Sequence, residues 1–142
     1  MTAARGLPVP RTSAGRAGLA AILAAPGRAL IAADFDGTLA PIVADPAAAH
    51  AHPAAAPALR ALAGRVGTLA IITGRPAETA VTLGGFGGIP GLIVLGHYGW
   101  ERWQDGQLTS RPSPPGVATA RARLPALLAG AGAADGTWIE DK

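Results

Sequence analysis

Leu30-Ile31-Ala32-Ala33-Asp34-Phe35-Asp36-Gly37-Thr38-Leu39 decides the fold. Its first four residues are an unbroken apolar run, the pattern of a parallel strand buried on both faces. Two carboxylates follow at i and i+2, at the strand end where ligands bind in an open α/β sheet. Each charge is costly there unless something positive offsets it. A divalent cation meets that need. Mg²⁺ prefers hard oxygen ligands and keeps positions for water and phosphate, so one carboxylate and a main-chain carbonyl can hold it beside a phosphorylated substrate. In that chemistry Asp34 attacks phosphorus as a nucleophile, giving an aspartyl phosphate. Asp36, turned away by the bend at Gly37, protonates the leaving alkoxide and later deprotonates the hydrolytic water. Two plainer readings are a turn cap and a calcium loop. The latter expects a third oxygen ligand two positions on and a distant bidentate Glu, whereas position 38 is Thr and apolar residues follow.

Working outward, a helix over Ala54 to Arg65 carries Leu59, Leu62 and Val66 at helical spacing, and Leu69-Ala70-Ile71-Ile72 is a second apolar run. Strand, helix, strand is the βαβ signature. Pro76 and Glu78 suit the first turn of another helix running to about Leu83, and Leu92-Ile93-Val94-Leu95 gives a third strand. A parallel, doubly wound sheet is the expected core. Asp105-Gly106 turns a hairpin between Trp100–Trp103 and Gln107–Thr109, Val117 to Leu128 is helical, and Thr137-Trp138-Ile139-Glu140 begins a further strand.

The chain of 142 residues allows one domain, or a core with part of a second. Alanine supplies 34 residues, and Leu, Ile, Val and Phe together only 31, so the core is small. Zero cysteines exclude a disulfide scaffold, a thiolate zinc site and a Cys nucleophile. Eleven Arg against one Lys give a net charge of +3, but they are spread along the chain with few aromatics between them, which argues against a nucleic-acid partner. Thr79 to Trp100 has the length of a membrane span, yet seven Gly and Pro90 argue against one. Arg5, Arg11 and Arg16 ahead of the apolar Ala17–Ala25 mimic a weak signal or transit peptide. Leu19, Ile22 and Leu23, at i, i+3 and i+4, favour a short amphipathic helix ending at Pro26-Gly27 instead, and a cytoplasmic protein. His50 and His52, in an Ala- and Pro-rich loop, are expected to be exposed bystanders.

Thr73-Gly74-Arg75-Pro76 stands at the end of the second strand. A hydroxyl followed by Gly and a helix N-terminus offers a side-chain donor and free backbone N–H groups to a phosphate oxygen. Alone, the tetrapeptide reads as an ordinary strand-to-helix turn. Its place after a buried strand, 39 residues past Asp34, makes Thr73 and Gly74 candidate phosphate binders.

Asp34-Phe35-Asp36-Gly37-Thr38-Leu39 resembles the first motif of the haloacid dehalogenase superfamily. The longer string through Ala40-Pro41-Ile42-Val43, with Asp45-Pro46 and Ala49 beyond it, is similar to trehalose-6-phosphate phosphatases. The resemblance covers about residues 19 to 142 and implies a Rossmann-like α/β core with a parallel sheet, followed by the start of an α+β cap domain. It also implies Mg²⁺ held by Asp34 and Asp36, the catalytic roles of the same two residues, and hydrolysis of trehalose 6-phosphate to trehalose and phosphate. Thr73 maps onto the phosphate binder of the second motif and Arg75 onto the family's Thr-Gly-Arg, which assigns Arg75 to substrate binding. Gly96-His97-Tyr98-Gly99-Trp100-Glu101 resembles the family's Gly-x-His-Gly-x-Glu segment near the sugar pocket and assigns Tyr98 and Glu101 to substrate, although the family's His falls on Tyr98. Trp138 to Lys142 resembles the opening of the cap, where Glu140 and Lys142 would grip the sugar phosphate. Read from packing alone, Trp100 and Trp103 are hairpin contacts and Glu101 a solvated residue.

Two further superfamily motifs, a Lys or Arg that steadies the aspartyl phosphate and a downstream acidic pair, are not visible, so a truncated form with a weak Mg²⁺ site is expected. Residues 1–15 are read as a disordered N-terminal extension, 16–104 as a partial core and 105–142 as an incomplete cap. The partners implied are a small sugar phosphate and, as a candidate, a trehalose-phosphate synthase. Two alternatives stay open: a phosphatase for another sugar phosphate, and a degenerate module that binds a sugar phosphate without turnover.

Overall fold

The computed structural model describes residues 9–139. Helix α1 (Ser13–Ala24) precedes strand β1 (Leu30–Asp34); α2 (Ala55–Ala63) leads to β2 (Thr68–Ile72), and α3 (Ala77–Gly84) to β3 (Ile93–Gly96). A hairpin, β4 (Glu101–Gln104) and β5 (Gln107–Ser110), and a last helix, α4 (Pro115–Gly130), complete the order. The five strands form one mixed sheet in sequence order. β1, β2 and β3 pair in parallel, with Asp34 beside Ile72 and Ile72 beside Leu95. β4 returns antiparallel on β3, and β5 on β4. Asp105 and Gly106 turn that hairpin with φ of 49° and 83°, the left-handed pair that a two-residue loop requires.

The α/β fold with its parallel strands forms as expected, while the winding differs. A doubly wound sheet needs a reversal of strand order, and here the order runs one way. One face is covered: Leu69, Ile71, Val94 and Trp103 pack with Leu59 of α2 and Ala77 and Ala80 of α3 in a single buried cluster that includes Phe35, Phe86 and Leu92. The other face carries Leu30 and Ile72, 65% and 43% exposed. β1 is therefore not buried on both faces; its exposure alternates, because one face packs on the core and the other is uncovered among the described residues, where β2 is its one neighbour. β2, flanked on both sides, keeps Leu69, Ala70 and Ile71 buried.

Local features differ as well. α1 starts at Ser13, earlier than its apolar stripe suggests, because the Thr12 hydroxyl accepts from Gly15 N–H at 3.0 Å and caps it. Ile22 and Leu23 stay exposed and only Leu19 of the stripe is partly buried, so the stripe covers little. Residues 1–8 of the expected disordered extension lie outside the described residues. Residues 104 and 105, where the core is expected to give way to the cap, lie in the hairpin, and β5 continues the same sheet to Ser110. Thr137–Ile139 do not form the expected strand: with no strand beside them, the Thr137 N–H and hydroxyl both donate to the Ala134 carbonyl, at 3.1 and 2.7 Å, and close a turn. Among the described residues, no helix is long and apolar enough to cross a membrane.

Candidate active site

At the tip of β1, Asp34 follows Leu30 and Ala32 on the exposed face, while Phe35 continues the opposite alternation into the core. The chain then folds back on itself: Leu39 and Ala40 N–H both donate to the Phe35 carbonyl at 2.9 Å, and Gly37 N–H donates to Ala40 at 2.7 Å. Gly37 allows this with a φ of 83°. Asp36 is thereby brought against Arg75 at the start of the β2–α3 turn. The guanidinium makes a two-pronged bond, Nε–H to Asp36 Oδ2 at 2.8 Å and Nη2–H to Oδ1 at 2.7 Å, and its Nη1–H donates to the Pro46 carbonyl at 2.7 Å. Arg75 lies over the Phe35 ring, 5.4 Å from its centroid. The hydrogen bonds it donates to Asp36, and the charge of that carboxylate, hold the Arg75 pKa above the ordinary value, against desolvation. That contribution to stability is complete below the ordinary arginine pKa and is lost only above it.

Thr73 is placed one step past Ile72, the residue beside Asp34. Its side chain is buried, 2% exposed, and its Oγ1 accepts from Arg75 N–H at 3.2 Å, which leaves the hydroxyl hydrogen as its donor. The Gly74 N–H makes no backbone bond among the described residues. The loop after β3 docks onto this turn, with His97 N–H donating to the Arg75 carbonyl and Tyr98 N–H to the Thr73 carbonyl, both at 2.9 Å. These bonds hold His97 and Tyr98 at φ of 46° and 56°, a left-handed pair that costs non-glycine residues about 1–2 kcal/mol each. Gly96 permits the close approach: a Cβ there would stand 2.3 Å from the Ala77 nitrogen.

Glu101 makes a contact within the fold. Its Oε2 accepts from Ala77 N–H at 2.8 Å, so a carboxylate from β4 caps the first turn of α3, whose preceding Pro76 has no side-chain cap to offer. His97 Nδ1 lies 3.5 Å from the other oxygen. Tyr98 is exposed and lines a cleft of about 470 Å³ with Trp100, Arg111, Ser113 and Arg121. Neither Asp34, Asp36 nor Thr73 lines that cleft, and the Tyr98 ring over Gly74 connects the two. Glu140 and Lys142 lie outside the described residues. His50 and His52 are exposed, and His52 Nδ1 accepts from Ala54 N–H at 3.1 Å ahead of α2.

The donors fit a hard cation in part. The Asp34 carboxylate makes no hydrogen bond or ion pair with another described residue, and the Asp36 main-chain carbonyl accepts no backbone bond among them. Both Asp36 side-chain oxygens are taken by Arg75. Among the described residues there is no group of three or more His, Cys, Asp or Glu side chains that could hold a metal. A cation at this strand end would therefore meet Asp34 and the Asp36 carbonyl, with its other positions left to water and substrate.

The family model described as trehalose-phosphatase matches residues 32–142. The chain belongs to the trehalose-phosphatase family. No curated protein sequence is a significant match. Among solved structures, it is similar to a trehalose-6-phosphate phosphatase from Aspergillus fumigatus, with 27% identity and a TM-score of 0.60 over 89% of this chain and 47% of that one. The C-terminal domain of the C. albicans trehalose-6-phosphate phosphatase shares the fold, with a TM-score of 0.68 and 23% identity over 89% of this chain and 44% of that one. The chain spans about half the length of these structures. Sequence reasoning placed the family member's Asp34, Asp36 and Thr73-Gly74 at adjacent strand ends, as found; it missed the Arg75–Asp36 pair and the Glu101 cap, which join residues 39 and 24 apart.

Proposed function

We propose that the protein is a Mg²⁺-dependent phosphatase that hydrolyses trehalose 6-phosphate to trehalose and phosphate through an aspartyl phosphate. The observation that carries this reading is the juxtaposition at one strand end of Asp34, a carboxylate that pairs with no other described residue, and Asp36, a second carboxylate held in a fixed orientation, in a chain of this family. An Asp34 oxygen attacks phosphorus and the bond to the sugar oxygen breaks; Asp36, protonated on one oxygen that has let go of its Arg75 prong, gives the sugar oxygen that proton. Water then attacks the phosphorylated Asp34, Asp36 takes its proton, and orthophosphate leaves with the carboxylate restored. Mg²⁺, held by Asp34 and the Asp36 carbonyl, would offset the charge on the transferring phosphoryl group. The Gly74 N–H and the Thr73 hydroxyl hydrogen are the donors for the phosphate oxygens.

Tyr98 and the arginines of the adjoining cleft, Arg111 and Arg121, suit a polyhydroxylated, anionic ligand. Residues from Arg111 onward, with Glu140 and Lys142, are read as the opening of a cap over that ligand. A phosphate monoester is too charged to cross a bilayer unaided, which agrees with a cytoplasmic place of action and with a synthase of the same ester as partner. The test is phosphate release from trehalose 6-phosphate and from a panel of other sugar phosphates. Asp34→Asn is expected to lower the rate by at least about 10³-fold. Unchanged release by that variant overturns the mechanism; equal rates on all esters overturn the substrate.

A further inference from the structure

We infer that Arg75 is a positioning residue, which fixes the Asp36 carboxylate in one orientation and does not itself grip the substrate. An arginine that recognises a phosphate ester presents its guanidinium fork to the ligand. Here three of the five N–H bonds, including the paired Nε/Nη2 edge, are spent within the protein. Nε–H and Nη2–H both go to Asp36, Nη1–H goes to the Pro46 carbonyl, and the side chain is only 14% exposed. The residue is immobilised at every level. Its main-chain N–H donates to Thr73 Oγ1, its carbonyl accepts from His97 N–H, and its guanidinium rests over Phe35. One side chain thus ties together the turn after β1, the loop around Pro46 and the turn after β2.

The chemical consequence falls on Asp36. With both oxygens accepting from one planar fork, the carboxylate cannot rotate freely, and it cannot swing over to join Asp34 as a ligand for a cation. Its main-chain carbonyl stays available, and the side chain is kept for proton transfer. Lysine would keep the charge and lose the fork. The inference rests on the phosphatase reading for its kinetic consequences, but the pairing itself can be tested without turnover.

The experiment uses the full chain, with trehalose 6-phosphate as substrate. Arg75→Lys is expected to lower kcat about tenfold, and Arg75→Met further, with KM within about twofold of the parent. In an Asp36→Asn background, Arg75→Met should cost nothing more, because the group it orients has lost its role. A KM that rises with kcat retained, or losses that multiply in the double variant, would overturn the inference and make Arg75 a substrate contact. Absence of turnover in the parent chain counts against the phosphatase reading alone. The ¹H–¹⁵N signal of the Arg75 Nε–H then decides: slow exchange that is lost in Asp36→Asn supports the pairing, and exchange as fast as that of exposed Arg123 refutes it.

Discussion

The strand tips and the stretch after the hairpin are built from similar residues and held in opposite ways. Between Asp34 and Glu101, segments far apart in sequence are laced together: Arg75 to Asp36 and Pro46, His97 to Arg75, Tyr98 to Thr73, and Glu101 to Ala77. Beneath them lies the buried cluster, which includes no described residue after Trp103. α4 is the longest helix and buries none of its residues; it holds Pro125 in its interior, and Leu127 is 58% exposed. Arg111-Pro112-Ser113-Pro114 leads into it, and beyond it Thr137 bonds only to the nearby Ala134. Length does not stabilise a helix whose apolar side chains cover little, because most helical stability comes from packing.

This difference is open to direct attack. Local opening of an unpacked helix costs little, whereas cutting within a packed one requires opening on the scale of the whole core. Limited trypsin digestion under native conditions should therefore cut after Arg123 at least about a hundred times faster than after Arg60 or Arg65 in and beside α2, which packs on the sheet. Equal rates, read by mass spectrometry of early fragments, would mean that α4 is as firmly held as the core. The next largest effect is on stability. Phe35 is fully buried, meets Phe86 edge-on with ring centroids 6.2 Å apart, and supports Arg75. Phe35→Ala should cost about 3–5 kcal/mol and Leu127→Ala less than about 0.5 kcal/mol in urea unfolding followed by circular dichroism. A Leu127 variant as damaging as the Phe35 one would erase the contrast.

The same contrast explains what was legible in the sequence. Leu69–Ile72 and Leu92–Leu95 are apolar runs bounded by Gly and Pro, and each became a strand within a residue of its expected limits, because burial and local pattern agree there. Asp34 and Thr73 could be placed at strand ends by spacing alone. The exposure of β1 was not legible: whether an apolar run is covered on both faces depends on what packs beside it, and Leu30-Ile31-Ala32-Ala33 carries no information about its neighbours. Thr137-Trp138-Ile139 failed for a related reason, since β-propensity makes no strand without a partner. The contacts that Arg75 and Glu101 make within the fold were not legible either, because a charged residue in a motif has no visible partner until the chain folds. Their partners, Asp36 and Ala77, are set by tertiary contact.

Glu101 gives the smallest and most discriminating of these tests. Its carboxylate is 17% exposed and accepts from the first N–H of α3, so it contributes both a hydrogen bond and a charge at the positive end of a helix. Glu101→Gln keeps an acceptor oxygen and removes the charge, which should cost about 0.3–1 kcal/mol and shrink as salt is added. Glu101→Ala removes both and should cost about 1–2 kcal/mol, with little relief from salt. Glu78, acidic but exposed in the same first turn, is the internal control, and its Gln variant should lose less than Glu101→Gln. If Glu101 instead reaches a sugar hydroxyl, the ranking inverts: both variants raise KM for trehalose 6-phosphate while the unfolding midpoint stays where it was. A residue that serves the fold is separated from one that serves the ligand by which of the two measurements moves.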